Sequence, residues 1–318
     1  MRKAHEMFVL KPITCNLSPN MRRITLLTNP DVCNLRCPLC FLNQRALLNC
    51  GESNCNGERP PNNNRGRCAL GMGEMPFEIA KAAIEKYAAE RDASGKRLLQ
   101  EVIPSTMGEP LLYSHFDELL ELCRALGIPL NLTTNGTFPG KWGSDAAMEL
   151  LLHSCSDIKV SYLASERFDG WKANVEKLVR VRDNLRENAR CATVSLQVTL
   201  HKKNLQDVPE LVSWASANGI DRIKWNKVVF LSTASQALRE MYALDDASLE
   251  SLRNEFRAGV FSASNVKREG SLFFDDGADV CAVGGKCESC PFADEVWVWP
   301  DGHEDHCPNP ERRWGEAE

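Results

Sequence analysis

Apolar residues recur along this chain at two alternating periods. Short runs rich in Ile, Leu and Val, at Ile24–Thr28, Leu99–Pro104, Ile128–Thr133, Asp157–Ser161, Ala192–Leu200 and Ile220–Phe230, read as strands. Between and after them lie stretches with helical spacing, at Phe77–Glu90, His115–Leu126, Asp145–Leu152, Trp171–Glu187, Asp207–Ala217 and Asp245–Arg257. Val175, Leu178, Val179 and Arg182 illustrate that period, with charge on the far face. The order is six repeats of strand then helix, which predicts an α/β fold with a parallel sheet covered by helices. A last strand, Glu295–Trp299, followed by the turn Pro300-Asp301-Gly302, predicts a C-terminal β-hairpin.

The chain has 318 residues, 43% of them hydrophobic, enough for one large domain with a small appendage. Its formal net charge is −5, so no global basic field recruits nucleic acid. A local basic patch at Arg182, Arg186 and Arg190 reads as a solvated helix face. Fourteen cysteines fall in metal-type spacings and no hydrophobic run approaches the ~18 residues of a membrane span, so a cytoplasmic, reducing setting is expected.

Candidate chemistry concentrates in TNPDVCNLRCPLCF, where Cys33, Cys37 and Cys40 stand at CxxxCxxC spacing directly after the first strand. Three thiols in one loop can hold a cubane iron–sulfur cluster and leave one iron open to a cofactor or substrate. Zinc or buried thiols are the alternatives, because a Cys-x2-Cys pair also occurs in structural zinc sites. Further along, the strand Leu99–Pro104 runs into Ser105-Thr106-Met107-Gly108-Glu109-Pro110, and the third strand runs into Thr134-Asn135-Gly136. All of these lie at the C-terminal ends of strands, the rim where ligands gather in β/α barrels.

Together the triplet, the GEP segment and TNG resemble the radical S-adenosylmethionine (radical SAM) superfamily. The resemblance covers residues 22 to 230 and implies a partial (β/α)6 TIM-like barrel. It implies that Cys33, Cys37 and Cys40 hold a 4Fe-4S cluster whose open iron chelates S-adenosylmethionine. Glu109 would hold the methionine ammonium, with Gly108 and Pro110 shaping the approach. Thr134, Asn135 and Ser161 would line the cofactor, Ser161 as a ribose contact, and the backbone of Leu39 would meet the adenine. Met107 stands where the family has its first glycine. The implied activity is reductive cleavage of the cofactor to a 5′-deoxyadenosyl radical that abstracts a substrate hydrogen. A flavodoxin- or ferredoxin-type donor would supply the electron.

The tail carries Cys281, Cys287, Cys290 and Cys307, four thiols matching one complete cluster shell. Zinc bound by Cys287, Cys290, His303 and His306 is the rival, but that module wants its histidines on a helix, and His303 follows a Pro-Asp-Gly turn with Pro308 and Pro310 close behind. The tail resembles the Twitch or SPASM extensions of the same superfamily, implying an auxiliary 4Fe-4S cluster. Expected segments are an N-terminal extension (1–21), the barrel (22–260, with a cysteine-containing loop insertion at 43–75) and the auxiliary extension (261–318).

The leading expectation is net oxidation of a small metabolite or peptide, with the auxiliary cluster accepting an electron. Epimerisation is the second, with Cys50, Cys55, Cys68 or Cys191 as hydrogen donor to a sugar, aminocyclitol or peptide. A zinc-binding interaction protein is the non-enzymatic alternative. The roughly twenty residues before the first strand leave no visible leader-binding domain, which tilts the substrate toward a small molecule. Cys15, Cys123, Cys155 and Cys191 otherwise read as small apolar residues.

Overall fold

The computed structural model describes residues 22–41, 43–44, 72–104, 107–163, 169–186, 191–261, 267–273 and 295–306. Six strands appear at the expected places: β1 (Arg22–Leu26), β2 (Leu99–Pro104), β3 (Leu130–Thr134), β4 (Cys155–Tyr162), β5 (Thr193–Leu200) and β6 (Arg222–Lys227). They pair in sequence order and all in parallel. Helices α1 (Phe77–Ala89), α2 (Phe116–Ala125), α3 (Asp145–Ser154), α4 (Asp169–Arg186) and α5 (Val208–Ala217) connect or follow them. Two more helices follow β6, α6 (Gln236–Tyr242) and α7 (Asp246–Arg257), and both start on a capping side chain: Ser235 accepts from the Leu238 N–H and Asp245 from the Ser248 N–H. The periodicity missed the seven-residue α6, which is too short for a helical stripe to register.

The sheet does not stop at six strands. β7 (Lys267–Glu269) adds to β6, while β8 (Glu295–Val298) adds in parallel to β1 and turns back through β9 (Glu304–Asp305). The expected C-terminal hairpin is therefore present, and it extends the barrel sheet beyond β1.

Each parallel strand alternates rather than running continuously apolar. Ile24, Val102, Leu132, Ile158, Val160, Leu196 and Ile223 point to the helices and join one core with residues of α1 to α5. The opposite face carries Arg23, Glu101, Asn131, Asp157, Lys159 and Ser195. Here Arg23 pairs with Glu101 at 3.5 Å and with Glu295, and the Lys159 ammonium donates to Asn131 Oδ1 at 2.5 Å. Asp157 Oδ1 accepts from Thr193 and Ser195, each at 2.7 Å. Burial pushes the Lys159 ammonium down to about 8, and it also feels charges from Asp157, Lys224, Glu101 and Arg23, side chains that span β1 to β6. Polar side chains of several strands thus meet on this one face, which corresponds to the inner side of a partial barrel.

The basic patch on α4 departs from expectation. Arg182 is 1% exposed and continues the buried stripe rather than the solvated face. Its guanidinium reaches Asp221 Oδ2 and Asp183 Oδ1 at 2.6 Å each and the Gly219 carbonyl at 2.7 Å, so its charge is paired where Leu or Val would ordinarily pack. Arg186 shares Asp221 at 2.8 Å, and Arg190 lies outside the described residues.

Candidate active site

The loop leaving β1 carries the cysteine triplet, and backbone and amide bonds hold its head. The Leu27 N–H donates to the Val298 carbonyl, the Met75 N–H to the Thr28 carbonyl, and fully buried Asn29 donates from Nδ2 to the Glu109 carbonyl at 2.7 Å. The Glu109 N–H in turn donates to the Val32 carbonyl at 2.8 Å, one residue before Cys33. Gly108 makes this stitch possible. Its φ is +77°, and a Cβ there would lie 2.1 Å from the Asn29 carbonyl oxygen and 2.7 Å from that of Val32. The close approach therefore joins the GEP segment to the cysteine loop.

Cys33, Cys37 and Cys40 are all half-buried. Cys37 and Cys40 share a turn closed by the Cys40 N–H on the Cys37 carbonyl, and Asn43 Nδ2 caps the same carbonyl at 2.5 Å. The Cys33 sulfur accepts from the Leu35 N–H at 3.4 Å and from Asn135 Nδ2 at 3.6 Å. Asn135 also donates to Asn34 Oδ1 at 2.8 Å, so the TNG turn touches the triplet loop directly. Leu39 is buried against Ala234, Leu238 and Tyr242, which attaches the loop to α6 and the segment after β6. Gln44, fully buried, completes that attachment: Nε2 donates to the Leu39 and Val229 carbonyls at 3.0 and 3.1 Å, and Oε1 accepts the Leu231 N–H at 2.8 Å.

Glu109 is 0% exposed, and the groups that reach its carboxylate among the described residues are neutral donors. Oε1 accepts from Thr134 Oγ1 at 2.8 Å and the Leu111 N–H at 3.3 Å; Oε2 accepts from the Asn135 N–H at 2.7 Å. Desolvation raises its pKa from 4.5 to about 7, with the three donors pulling the other way. Pro110 opens a short 3-10 turn that Glu109 caps, a position where the missing proline N–H costs nothing. Ser161 sits half-buried at the end of β4, its carbonyl accepting from Trp171 Nε1 at 3.2 Å.

The donor set fits the expected group. No three His, Cys, Asp or Glu side chains among the described residues converge to hold a single metal ion, as a structural zinc site requires. A cubane instead takes each thiolate on a different iron, which suits three thiols spread along one loop. A carboxylate offers about four acceptor directions, and Glu109 uses three on neutral donors. It retains a direction for an incoming ammonium, with no cation among the described residues set against it.

Other candidates lie elsewhere. Cys50, Cys55, Cys68, Cys281, Cys287, Cys290 and Cys307 fall outside the described residues. Cys191 precedes the first residue of β5, at the end of the sheet opposite the triplet, with its thiol 3.8 Å from the Arg182 carbonyl. Cys123 and Cys155 are buried, the Cys123 thiol pushed up to about 12 and that of Cys155 further still. His303 and His306 are exposed, His303 lying 2.7 Å from Asp301 Oδ1. The motif reading missed Asn29 and Gln44, because a lone amide in a loop carries no pattern. No described helix is long and apolar enough to cross a membrane.

Residues 30–215 match the family described as the Radical SAM superfamily. The PqqA peptide cyclase of Xanthomonas euvesicatoria pv. vesicatoria is 26% identical over 57% of this chain and 53% of its own length. The Fe-coproporphyrin III synthase of Methanosarcina barkeri is 25% identical over 55% of this chain and 41% of its own. The chain thus matches about half the length of these curated relatives. Among solved structures, Streptococcus suis SuiB superposes with a TM-score of 0.61 at 16% identity, covering 91% of this chain and 60% of that one, a likeness of fold. With the matched region running from the cysteine loop through the GEP and TNG segments to α5, the chain belongs to the radical SAM superfamily.

Proposed function

We propose that this chain is a radical SAM oxidoreductase that abstracts a hydrogen atom from a peptide or small metabolite, with net two-electron oxidation of that substrate. The observation that carries the cofactor assignment is Glu109, a fully buried carboxylate without a counter-ion among the described residues, stitched by its own backbone to the loop of Cys33. When bound, a four-iron cluster with S-adenosylmethionine supplies one-electron cleavage of the sulfonium and, through it, hydrogen-atom abstraction. Cys33, Cys37 and Cys40 provide the thiolates, and Glu109 orients the ammonium. Thr134 and Asn135 hold the Glu109 carboxylate in place, and Asn135 also supports the Cys33 sulfur. Ser161 and the backbone of Leu39 complete the cofactor wall.

For net oxidation, the substrate loses one hydrogen atom, then one electron and one proton. Cys281, Cys287, Cys290 and Cys307 would hold the auxiliary cluster that takes the electron. What supports this is the hairpin within that tail, which pairs with β1 beside the cysteine loop. Relatives that bear on the substrate are a peptide cyclase and a coproporphyrin synthase, so a peptide stands beside the small molecule.

Anaerobic reconstitution with iron and sulfide, iron counting and detection of 5′-deoxyadenosine test the reading. About eight irons, falling to about four in Cys281→Ala/Cys307→Ala, are expected for two four-iron clusters. Absence of 5′-deoxyadenosine would overturn it. A product carrying one solvent deuterium at unchanged oxidation state would favour the epimerase with a thiol donor.

A further inference from the structure

The C-terminal hairpin does more than extend the sheet. Trp299 is buried with Leu27, Met107 and Leu231 in a small apolar cluster, and Trp297, Cys40, Phe41 and Met72 pack against it. Two indoles brought from the far end of the chain thus share one apolar cluster with the last cysteine of the triplet. The hairpin holds them from both sides. The Leu27 N–H bonds the Val298 carbonyl at 2.9 Å and Arg23 pairs with Glu295, fixing the strand to β1. On the other strand, Glu304 accepts from Lys86 Nζ at 2.8 Å and from the Tyr87 hydroxyl at 2.7 Å, fixing it to α1. At the tip, the Gly302 N–H closes a turn on the Trp299 carbonyl, and the His303 ring stacks on the Trp299 indole with centroids 4.9 Å apart.

We propose that Trp297 and Trp299 are positioning residues of the cluster, an indole wall that keeps water from the Cys40 corner and so holds its reduction potential low. The physical reason is charge. A cubane on thiolates gains negative charge on reduction, water stabilises the more highly charged form, and exclusion of water therefore disfavours it. A cluster shielded in this way is the stronger reductant, as electron donation to a sulfonium demands. At Cys33 the sulfur accepts from Leu35 and Asn135, while Cys40 packs against the apolar cluster that Trp299 joins. The inference rests on the triplet holding a four-iron cluster.

The test uses the reconstituted full chain. Iron release to a chelator is timed, and the midpoint potential is followed on the paramagnetic signal that changes when S-adenosylmethionine is added. Trp299→Ala is expected to release iron several-fold faster and to move the potential to less negative values, while Trp299→Phe stays close to wild type. Trp297→Leu, a milder change at the partly buried indole, is expected to shift both readouts in the same direction, so the test survives if the alanine variant does not fold. Variants that assemble the cluster with wild-type iron release and potential, losing only melting temperature, would overturn the wall and leave the hairpin a sheet-edge cover. A wild-type chain that assembles no such cluster would instead overturn the functional reading beneath it.

Discussion

The side-chain oxygen of Gln44 accepts the backbone N–H of Leu231 at 2.8 Å, across 187 residues of sequence. β1 and β6 are not neighbours in the open sheet, so their following loops have no ladder to hold them together. Gln44 supplies that connection with a single amide, whose nitrogen also serves Leu39 and Val229. Replacing it with leucine takes a partner from the buried Leu39 carbonyl and Leu231 N–H and from the Val229 carbonyl. A loss of about 1–3 kcal/mol is expected. Gln44→Leu should melt lower and take up less iron on reconstitution, whereas wild-type iron content would show that the turn of Cys37 and Cys40 stands without the bridge.

Glu109 makes stability depend on pH in a predictable sense. Burial raises its pKa from 4.5 to about 7, so the apo fold favours the neutral acid. That contribution is complete below pH 4.5 and disappears as pH rises to about 7, a difference of roughly 3 kcal/mol. Apo wild type should therefore melt lower at pH 8 than at pH 5, and Glu109→Gln should flatten that part of the profile while abolishing cofactor binding. Parallel melting profiles for the two proteins would rule this out.

Cofactor binding near neutral pH should release a proton. An ammonium set against Glu109 returns the carboxyl to its ionised form. Calorimetry of S-adenosylmethionine binding at pH 6.5, in buffers of different ionisation enthalpy, should show proton release to the buffer. Its absence would mean that the carboxyl is already ionised in the apo protein.

Gly108→Ala should damage the site out of proportion to its size. The φ of +77° disfavours any side chain by roughly 1–2 kcal/mol, and the new methyl would lie 2.1 Å from the Asn29 carbonyl oxygen. Relief requires Glu109 to part from the cysteine loop. Both cluster assembly and cofactor affinity should fall, with helical content retained; an alanine variant with normal cofactor affinity would contradict the stitch.

Asp221→Ala should be among the more destabilising changes far from the rim. It strips Arg182, 1% exposed, of its 2.6 Å carboxylate and removes the acceptor of the Val194 N–H at the start of β5. Asp183 and the Gly219 carbonyl still hold the guanidinium, so the loss expected is that of buried donors left unsatisfied, about 1–3 kcal/mol. Denaturant unfolding measures it, and a loss below about 1 kcal/mol would mean that Asp183 alone suffices to pair the Arg182 charge.

Strand and helix order, the parallel sheet and the rim position of Cys33, Cys37, Cys40, Glu109 and Asn135 were legible in the sequence alone. Each depends on short-range information: the period of side chains along an element, or a few residues at fixed spacing after a strand. What only tertiary structure decided are relationships between distant residues. A helical arginine reads as solvated until Asp221 arrives from another loop, and Gln44 is featureless until Val229 and Leu231 meet it. Cys191 reads as one more available thiol until the strand direction sets it at the far end of β5. The two tryptophans join the cysteine loop only because β8 pairs with β1. Periodicity tells which face of an element is buried, whereas the partner on that face is chosen by packing and pairing across the whole chain.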